Sequence, residues 1–253
     1  MLVSVVVPTL DEAANIAGAL ADVAVRCPGA EVLVVDGGSR DGTPDIAARS
    51  PGVRVLASPP GRARQMNAGA RAASGQILLF LHADTRLPDG ASALVAGAMA
   101  RPGTVGGRFD VSFDSPRRAL RMVAFFMNLR SRWTGISTGD QAIFVRRDIF
   151  DALGGYAEIP LMEDVELSGR LRRTGRLAPL RARVVTAARK WEREGTWRTI
   201  GLMWTLRLLY FFGADPARLH RMYYRRRPDS PGGAPPGRPG LPGQEPAAGP
   251  PPS

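Results

Sequence analysis

The sequence predicts an α/β fold, a doubly wound parallel half followed by a mixed half, and three observations carry that prediction. Strand-like and helix-like stretches alternate over the first 100 of the 253 residues. One of those strands, Gln76–Leu81, is apolar almost throughout, as in a parallel sheet covered on both faces. After Pro88 the alternation loosens into longer helices and strands of antiparallel character.

Val3–Val7 reads as the first strand and Asp11–Val25 as a helix opened by acidic residues. Glu31–Val35 is the second strand, followed by the turn Asp36-Gly37-Gly38-Ser39-Arg40-Asp41-Gly42-Thr43 and a helix from Pro44. Val53–Ala57 is a third short strand, Arg62–Ala73 a third helix and Gln76–Leu81 a fourth strand. Beyond Pro88, Ala91–Ala100 is helical, Gly106–Phe113 an alternating strand and Arg117–Arg130 an amphipathic helix. Gln141–Val145 then reads as a strand, Arg147–Leu153 as a short helix ending at Gly154-Gly155, and Val165–Thr174 as a helix stopped by Gly175. Residues 228–253 hold 10 prolines and 6 glycines in 26 positions, too few apolar side chains for a core, and read as a disordered tail.

Composition narrows the chemistry. A single cysteine, Cys27, excludes an intramolecular disulfide and a cysteine-based metal cluster, and fits a reducing cytoplasm. Two histidines, His82 and His220, argue against a zinc enzyme. The chain starts directly on a strand, so no export is expected. The longest apolar contender for a membrane span, Ile200–Phe212, has 13 residues and contains Arg207, short of the roughly 20 a bilayer requires. The net charge of +11 is uneven: residues 170–227 hold 16 Arg/Lys against 3 Asp/Glu, a net of +13, so the remaining residues sum to −2. A basic C-terminal quarter beside an aromatic helix suits an anionic membrane surface; the competing reading is a solvated arginine-rich face. No nucleic-acid partner is expected.

Two acidic segments carry most of the functional signal. His82-Ala83-Asp84-Thr85 follows the buried fourth strand, and residues two apart on a strand point to the same side, so His82 and Asp84 are expected to face one crevice. Asp84 there can meet Mg²⁺ or Mn²⁺, with phosphates and water completing the shell; the alternative is a simple turn before Pro88. Glu163-Asp164 precedes a helical stretch and offers a general base, or else caps that helix. Pro8-Thr9-Leu10-Asp11-Glu12 either touches a base or ribose or caps the next helix through Thr9 or Asp11. Asp36 either accepts a hydrogen bond from a nucleobase imide or opens its turn. Arginines at the start of the third helix, Arg64 above all, are placed to hold a diphosphate or simply face solvent. The spacing there is not that of a P-loop or a dinucleotide fingerprint.

Taken in order, these stretches resemble the family 2 glycosyltransferases with the GT-A fold. The matching segments are Val5–Ile16, Val34–Thr43, Arg64-Gln65-Met66-Asn67-Ala68-Gly69, Ile77–Thr85, Ala142–Arg147, Leu153-Gly154-Gly155-Tyr156 and Met162–Leu167. The resemblance implies a nucleotide-binding half over about residues 1–100, an acceptor half over about 101–195 and basic, aromatic C-terminal helices over about 196–227. It implies a nucleotide-diphosphate sugar as donor and a hydroxyl compound as acceptor. Pro8, Thr9, Glu12, Asp36, Arg64, Asn67, His82 and Ala83 would hold the nucleotide, with Asp36 at the base. Asp84 matches the second aspartate of the family's D-x-D, the ligand of Mg²⁺ or Mn²⁺, and Asp164 matches the catalytic base of inverting members. The departure is His82 in place of the first aspartate, which resembles a small standalone bacterial subgroup and puts the number of protein–metal contacts in doubt. Arg189-Lys190-Trp191 matches the Q-x-x-R-W of processive synthases only in part, so a single addition is expected.

Two other classes compete. A sugar nucleotidyltransferase needs a glycine-rich basic loop after the first strand, which Pro8-Thr9-Leu10-Asp11 does not supply. A non-catalytic nucleotide- or glycan-binding scaffold on a membrane surface would not need Asp84 and Asp164 together. The segment Trp197–Phe212 places Trp197, Ile200, Trp204, Leu208 and Phe211 on one helical face. With the Arg117–Arg130 helix it is expected to hold a lipid-like acceptor near Asp164, peripherally on the inner face of the cell membrane. The rival expectation is that both helices cover the sheet or form a homodimer interface.

Overall fold

The computed structural model describes residues 1–224; the expected tail at 228–253 and Arg225–Arg227 lie outside the described residues. The first half runs β1 (Val3–Thr9), α1 (Ala13–Arg26), β2 (Glu31–Asp36), α2 (Thr43–Ala48), β3 (Val53–Ala57), α3 (Arg62–Ala72), β4 (Ile77–Phe80), β5 (Thr85–Arg86) and α4 (Ala91–Met99). The second half runs β6 (Thr104–Phe113), α5 (Arg118–Thr134), β7 (Phe144–Arg146), α6 (Arg147–Ala152), α7 (Glu163–Thr174), β8 (Arg176–Thr186), α8 (Arg189–Glu194), α9 (Thr196–Phe211) and α10 (Pro216–Tyr224).

The eight strands form one sheet in the order β3-β2-β1-β4-β7-β6-β8-β5. β1 to β4 are mutually parallel, which is the doubly wound half. Because β2 and β3 lie on one side of β1 and β4 on the other, the chain reverses direction across the sheet between β1 and β4. Ligand crevices of open α/β sheets form at such a point, beyond the carboxyl ends of the strands. β7 runs antiparallel to both β4 and β6, as expected of the mixed half, while β6 and β8 pair in parallel from Thr104 to Phe113.

Alternation along the strands divides the core into two layers. Val5, Val7, Val34 and Leu79 meet α1 and α4 through Ile16, Leu20 and Val95 on one face. Val6, Leu33, Val35, Leu78 and Phe80 meet α3, α6 and α7 through Met66, Phe150 and Leu167 on the other. β4 is buried at every position, as its uninterrupted apolar run predicts. A third, smaller cluster joins α9 and α10 to the segment before α7, with Leu206, Leu219 and Met162 at its centre.

Four differences from the sequence reading bear on the site. α1 starts at Ala13 because Asp11 adopts a left-handed conformation (φ 54°). α5 continues to Thr134, where Gly135 at φ 70° terminates it. In place of a strand from Gln141, a 3-10 turn at Gly139–Gln141 precedes β7, fixed by reciprocal capping between Thr138 and Gln141. α7 begins at Glu163, so Asp164 sits inside its first turn.

Candidate active site

Three loops meet beyond the carboxyl ends of β1, β2 and β4. The β1 and β2 loops are zipped together by short polar contacts: Asp11 N–H donates to Ser39 Oγ, Glu12 N–H to Thr43 Oγ1 and Ala13 N–H to Asp41 Oδ2, all within 2.9 Å. The group that caps α1 is therefore Asp41 from the neighbouring loop rather than Thr9 or Asp11. Buried Gln65 of α3 donates to the carbonyls of both Thr9 (2.7 Å) and Val35 (2.9 Å), fixing the two strand ends to each other.

Within that frame Asp36 is fully engaged. Its carboxylate accepts from Gly38 N–H and Ser39 N–H, each at 2.9 Å, from the Ser39 hydroxyl and from Thr9 Oγ1 at 3.3 Å. Of the two sequence readings for Asp36, the turn-opening one describes its geometry. Pro8, half-buried, pairs in register with Val35, and Thr9 with Asp36, which places both at the floor of the crevice.

The fourth-strand motif folds differently from an extended strand. The chain leaves β4 at Phe80, and Thr85 N–H donates to the His82 carbonyl (3.1 Å), closing a turn. His82 and Asp84 consequently do not share one strand face. Ala83 is buried beneath the turn while Asp84 is exposed. Glu12 lies within electrostatic reach of Asp84, His82 and Arg189; burial, opposed by the Asn15 amide, raises its pKa, and Asp84 raises it further. Arg189, at the start of α8, donates to Asn15 Oδ1 at 2.7 Å. A cleft of about 720 Å³ opens beside this corner, with Asn15, Asp22, Asp84, Asp114 and Arg189 in its walls.

His82 is the hinge between the two acidic segments. Its Nδ1 lies 3.4 Å from Asp140 Oδ1, and its ring rests on Gly139 so closely that a Cβ there would stand 2.5 Å from Nε2. Gly139 N–H in turn donates to Asp164 Oδ2 at 2.8 Å, and Val165 N–H holds Asp164 Oδ1 at 2.7 Å. The carboxylate thus sits at the amino end of α7, where the helix dipole favours negative charge. Its neighbour Glu163 is buried and paired with Arg62 at 3.5 Å; burial raises its pKa, Arg62 opposes this and Asp164 adds to it. Met162 precedes the pair at φ 71°, and Ala142 follows the Gly139 turn at φ 46°. With Asp11 these are the non-glycine residues of positive φ among the described residues, and all three border this site, where backbone strain commonly collects.

Two sequence expectations shift. Arg64 is held by Glu158 at 3.1 Å on the exposed side of α3, and Arg62 is the arginine of that loop that reaches the acidic pair. Asn67 is buried, with its amide donating to the Tyr156 carbonyl (2.9 Å) and accepting from Tyr156 N–H (2.8 Å). Its role in this fold is to pin the Gly154-Gly155-Tyr156 bend that returns the chain toward α7; at Gly155, with φ 73°, a Cβ would stand 2.6 Å from the Asn67 oxygen. Sequence reasoning also missed Gln65, Asp140 and Arg189 as parts of the site, since each acts through a partner far away in the chain.

A sequence profile of the family described as glycosyl transferase family 2 matches residues 4–154, more than half of the chain. The chain belongs to glycosyl transferase family 2. A PGL/p-HBAD biosynthesis glycosyltransferase of Mycobacterium bovis is 32% identical over 170 residues, covering 60% of this chain and 62% of the relative. The glycosyltransferase AglE of Haloferax volcanii is 30% identical over 171 residues, covering 61% and 55%. The chain thus spans about six tenths of the length of the family relatives it matches. The GT-A architecture is shared with a mannosyltransferase from Pyrobaculum calidifontis solved with GDP-Man and Mn²⁺, at a TM-score of 0.63 and 24% identity, covering 88% of this chain and 69% of that one. It is also shared with glucosyl-3-phosphoglycerate synthase from Mycobacterium tuberculosis, solved with Mn²⁺ and UDP, at a TM-score of 0.54 and 21% identity over 72% of this chain and 70% of that one.

Proposed function

We propose that this family member moves a single sugar from a nucleoside-diphosphate donor to a hydroxyl acceptor, with inversion and with Mg²⁺ or Mn²⁺ at Asp84. One observation carries the reading: His82, in the turn that bears Asp84, packs on Gly139, whose N–H orients Asp164. In this reading the turn that meets the diphosphate and the base are joined through His82 and Gly139.

The residues present fit a divalent ion shared with a diphosphate. Asp84 is exposed, and its side chain accepts from the Thr85 hydroxyl at 3.4 Å. No group of three potential metal-ligating side chains occurs among the described residues, so diphosphate oxygens and water would supply the remaining positions. When bound there, the ion would neutralise charge on the departing diphosphate. Asp164 takes the proton of the acceptor hydroxyl as that oxygen bonds to the anomeric carbon, and the nucleoside diphosphate leaves from the opposite face with the bonding electron pair. Arg189 adds positive charge on the side of Asp84, and the loops that carry Pro8, Thr9 and Asp36 flank the nucleoside.

The acceptor in this reading is lipid-like and the protein works at an anionic membrane surface. Phe125 and Phe126 of α5 and Trp204 and Leu208 of α9 are exposed, and α9 also roofs the Met162 segment that leads into Asp164. Titration calorimetry of UDP and GDP with Mn²⁺ tests the core of the proposal. Asp84→Ala is expected to abolish Mn²⁺-dependent binding with the fold intact. Unchanged affinity in that variant overturns the metal assignment, and absence of nucleotide binding by the unaltered chain overturns the reaction.

A further inference from the structure

We propose that Arg130 of α5 and Arg207 of α9 form a subsite for a phosphate-class oxyanion carried by the acceptor, an inference that rests on the reading of Asp164 as the base. Arg130 is the anomaly that leads here: its Nε and one terminal nitrogen are buried without a hydrogen-bond partner. Buried guanidinium groups are otherwise matched. Its neighbours obey that rule. Arg108 is bound by Asp110, by the Ser131 hydroxyl and by the Asn128 carbonyl. Arg132 pairs with Asp110 and the Pro179 carbonyl.

Arg207 stands close enough to Arg130 for their charges to repel. Burial first, then Arg207, lowers the Arg130 pKa to about 10, with Asp164 acting in the opposite sense and Arg108 adding to the repulsion. Burial lowers Arg207 in the same direction, opposed by Asp164 and Asp140. Two cations are therefore desolvated beside Asp164, whose oxygens each accept one N–H, from Gly139 and from Val165. Planar guanidinium forks in such a place fit the oxygens of a phosphate, which would restore the missing hydrogen bonds and cancel the repulsion.

The side of the crevice identifies whose phosphate it is. The carboxylates that act on Arg130 and Arg207 are Asp164 and Asp140, whereas the cation beside Glu12 and Asp84 is Arg189. The arginine pair thus stands at the base and not at the donor's diphosphate. An acceptor bound there presents its hydroxyl to Asp164 with a phosphate anchored alongside. The phosphate belongs either to a lipid, whose chains would then follow the exposed faces of α5 and α9, or to a water-soluble ester; the recognising chemistry is the same.

Calorimetric titration of the full chain with inorganic phosphate, without nucleotide, tests this. Arg130→Gln and Arg207→Gln should each weaken phosphate binding by roughly tenfold or more, the loss expected for a charge-assisted hydrogen bond. Arg130→Lys should recover part of it, and melting temperatures guard against misfolding. Asp84→Asn should leave phosphate affinity unchanged. Unaltered binding in both glutamine variants, or binding lost through Asp84→Asn instead, overturns the subsite. Mn²⁺-dependent nucleotide binding on the same preparations reads the donor site separately: its absence in the unaltered chain sinks the reaction proposed above but not the anion subsite. Dihexanoyl phosphatidic acid distinguishes the two sources. Tighter binding than phosphate, reduced by Trp204→Ser, marks a lipid, and equal binding marks a soluble phosphate ester.

Discussion

Asp164 owes its geometry to main-chain donors, and this decides how a substitution there should behave. Both carboxylate oxygens are fixed by backbone N–H groups, at 2.7 and 2.8 Å, so neither depends on a mobile side chain. Each oxygen keeps a second lone pair, and that pair is what a base uses. Asp164→Asn preserves the shape but sets an NH₂ against one of those N–H groups and removes the basic lone pair on that side. Turnover should fall by roughly two to four orders of magnitude, the usual worth of a positioned base. Nucleotide affinity should stay unchanged, because the nucleotide and its metal are assigned to Asp84, Arg189 and the loops after β1 and β2 rather than to Asp164. Single-turnover transfer assays with a competent acceptor check this; near-normal transfer would remove Asp164 from the mechanism and leave Glu163 as the next candidate. Glu163 is the weaker choice on present geometry, since it is 3% exposed and tied to Arg62.

Among the elements, the parallel strands are tied at their amino ends by Glu31, opposite the site. Glu31 of β2 accepts from Ser4 Oγ of β1 (2.5 Å), from Ser74 N–H ahead of β4 (2.7 Å) and from Arg54 of β3 (2.9 Å). Burial alone would raise its pKa, but the hydrogen bonds from Ser4 and Ser74 and the contact with Arg54 outweigh burial and hold it below the ordinary value. A carboxyl depressed in the folded state stabilises fully above its unfolded value of about 4.3 and loses that contribution as pH falls through the folded value. Glu31→Gln should therefore cost about 1–2 kcal/mol at pH 7. The gap between variant and unaltered chain should close as pH falls below about 4, measured by urea unfolding at both pH values. A gap independent of pH would mean that packing rather than charge is lost. The same scale shows what the sequence makes legible. β1 to β4 and the helices between them follow from apolar runs and turn residues, because local pattern and burial agree there. β8 does not announce itself: Pro179 and alternating arginines depress its strand signal, and it forms because β6 supplies a parallel partner, with a bulge opposite Phe109 and Asp110 that accommodates the mismatch. In the site, Asp84 and Asp164 are visible as acids beside element boundaries. Asp140 and Arg189 are not, because their roles depend on neighbours distant in the chain, and the left-handed backbone at Met162 leaves no residue-type signature.

At the scale of the whole molecule, charge and apolar exposure are segregated together. Residues 170–227 carry a net of +13 out of a total of +11, and the exposed aromatics cluster on α5 and on α9, which packs beside it. α9 is divided along its length: Leu206 is buried, and Leu202, Met203 and Leu209 close over Met162. On its outer side Trp197, Trp204, Leu208 and Phe211 face solvent, with Phe211 at 82% exposure. The inner face of this helix covers the protein, while its outer face has no partner among the described residues. No described helix is long and apolar enough to cross a membrane; we propose attachment in the plane of the surface, aromatic side inward and arginines at the headgroups. The full chain should co-sediment with vesicles containing phosphatidylglycerol at low salt and release as salt rises, since surface charge is screened within about 10 Å at 0.1 M. Replacing Trp204 and Phe211 by serine should release it at every salt concentration, and replacing Arg225, Arg226 and Arg227 by glutamate should weaken only the salt-sensitive part. A chain that stays in the supernatant with every lipid and runs as a dimer in light scattering would show instead that a second copy covers this face. Because the inner side of α9 closes over Met162, attachment through the outer side would hold the Asp164 loop at the lipid boundary, where an acceptor that never leaves the membrane can reach the base.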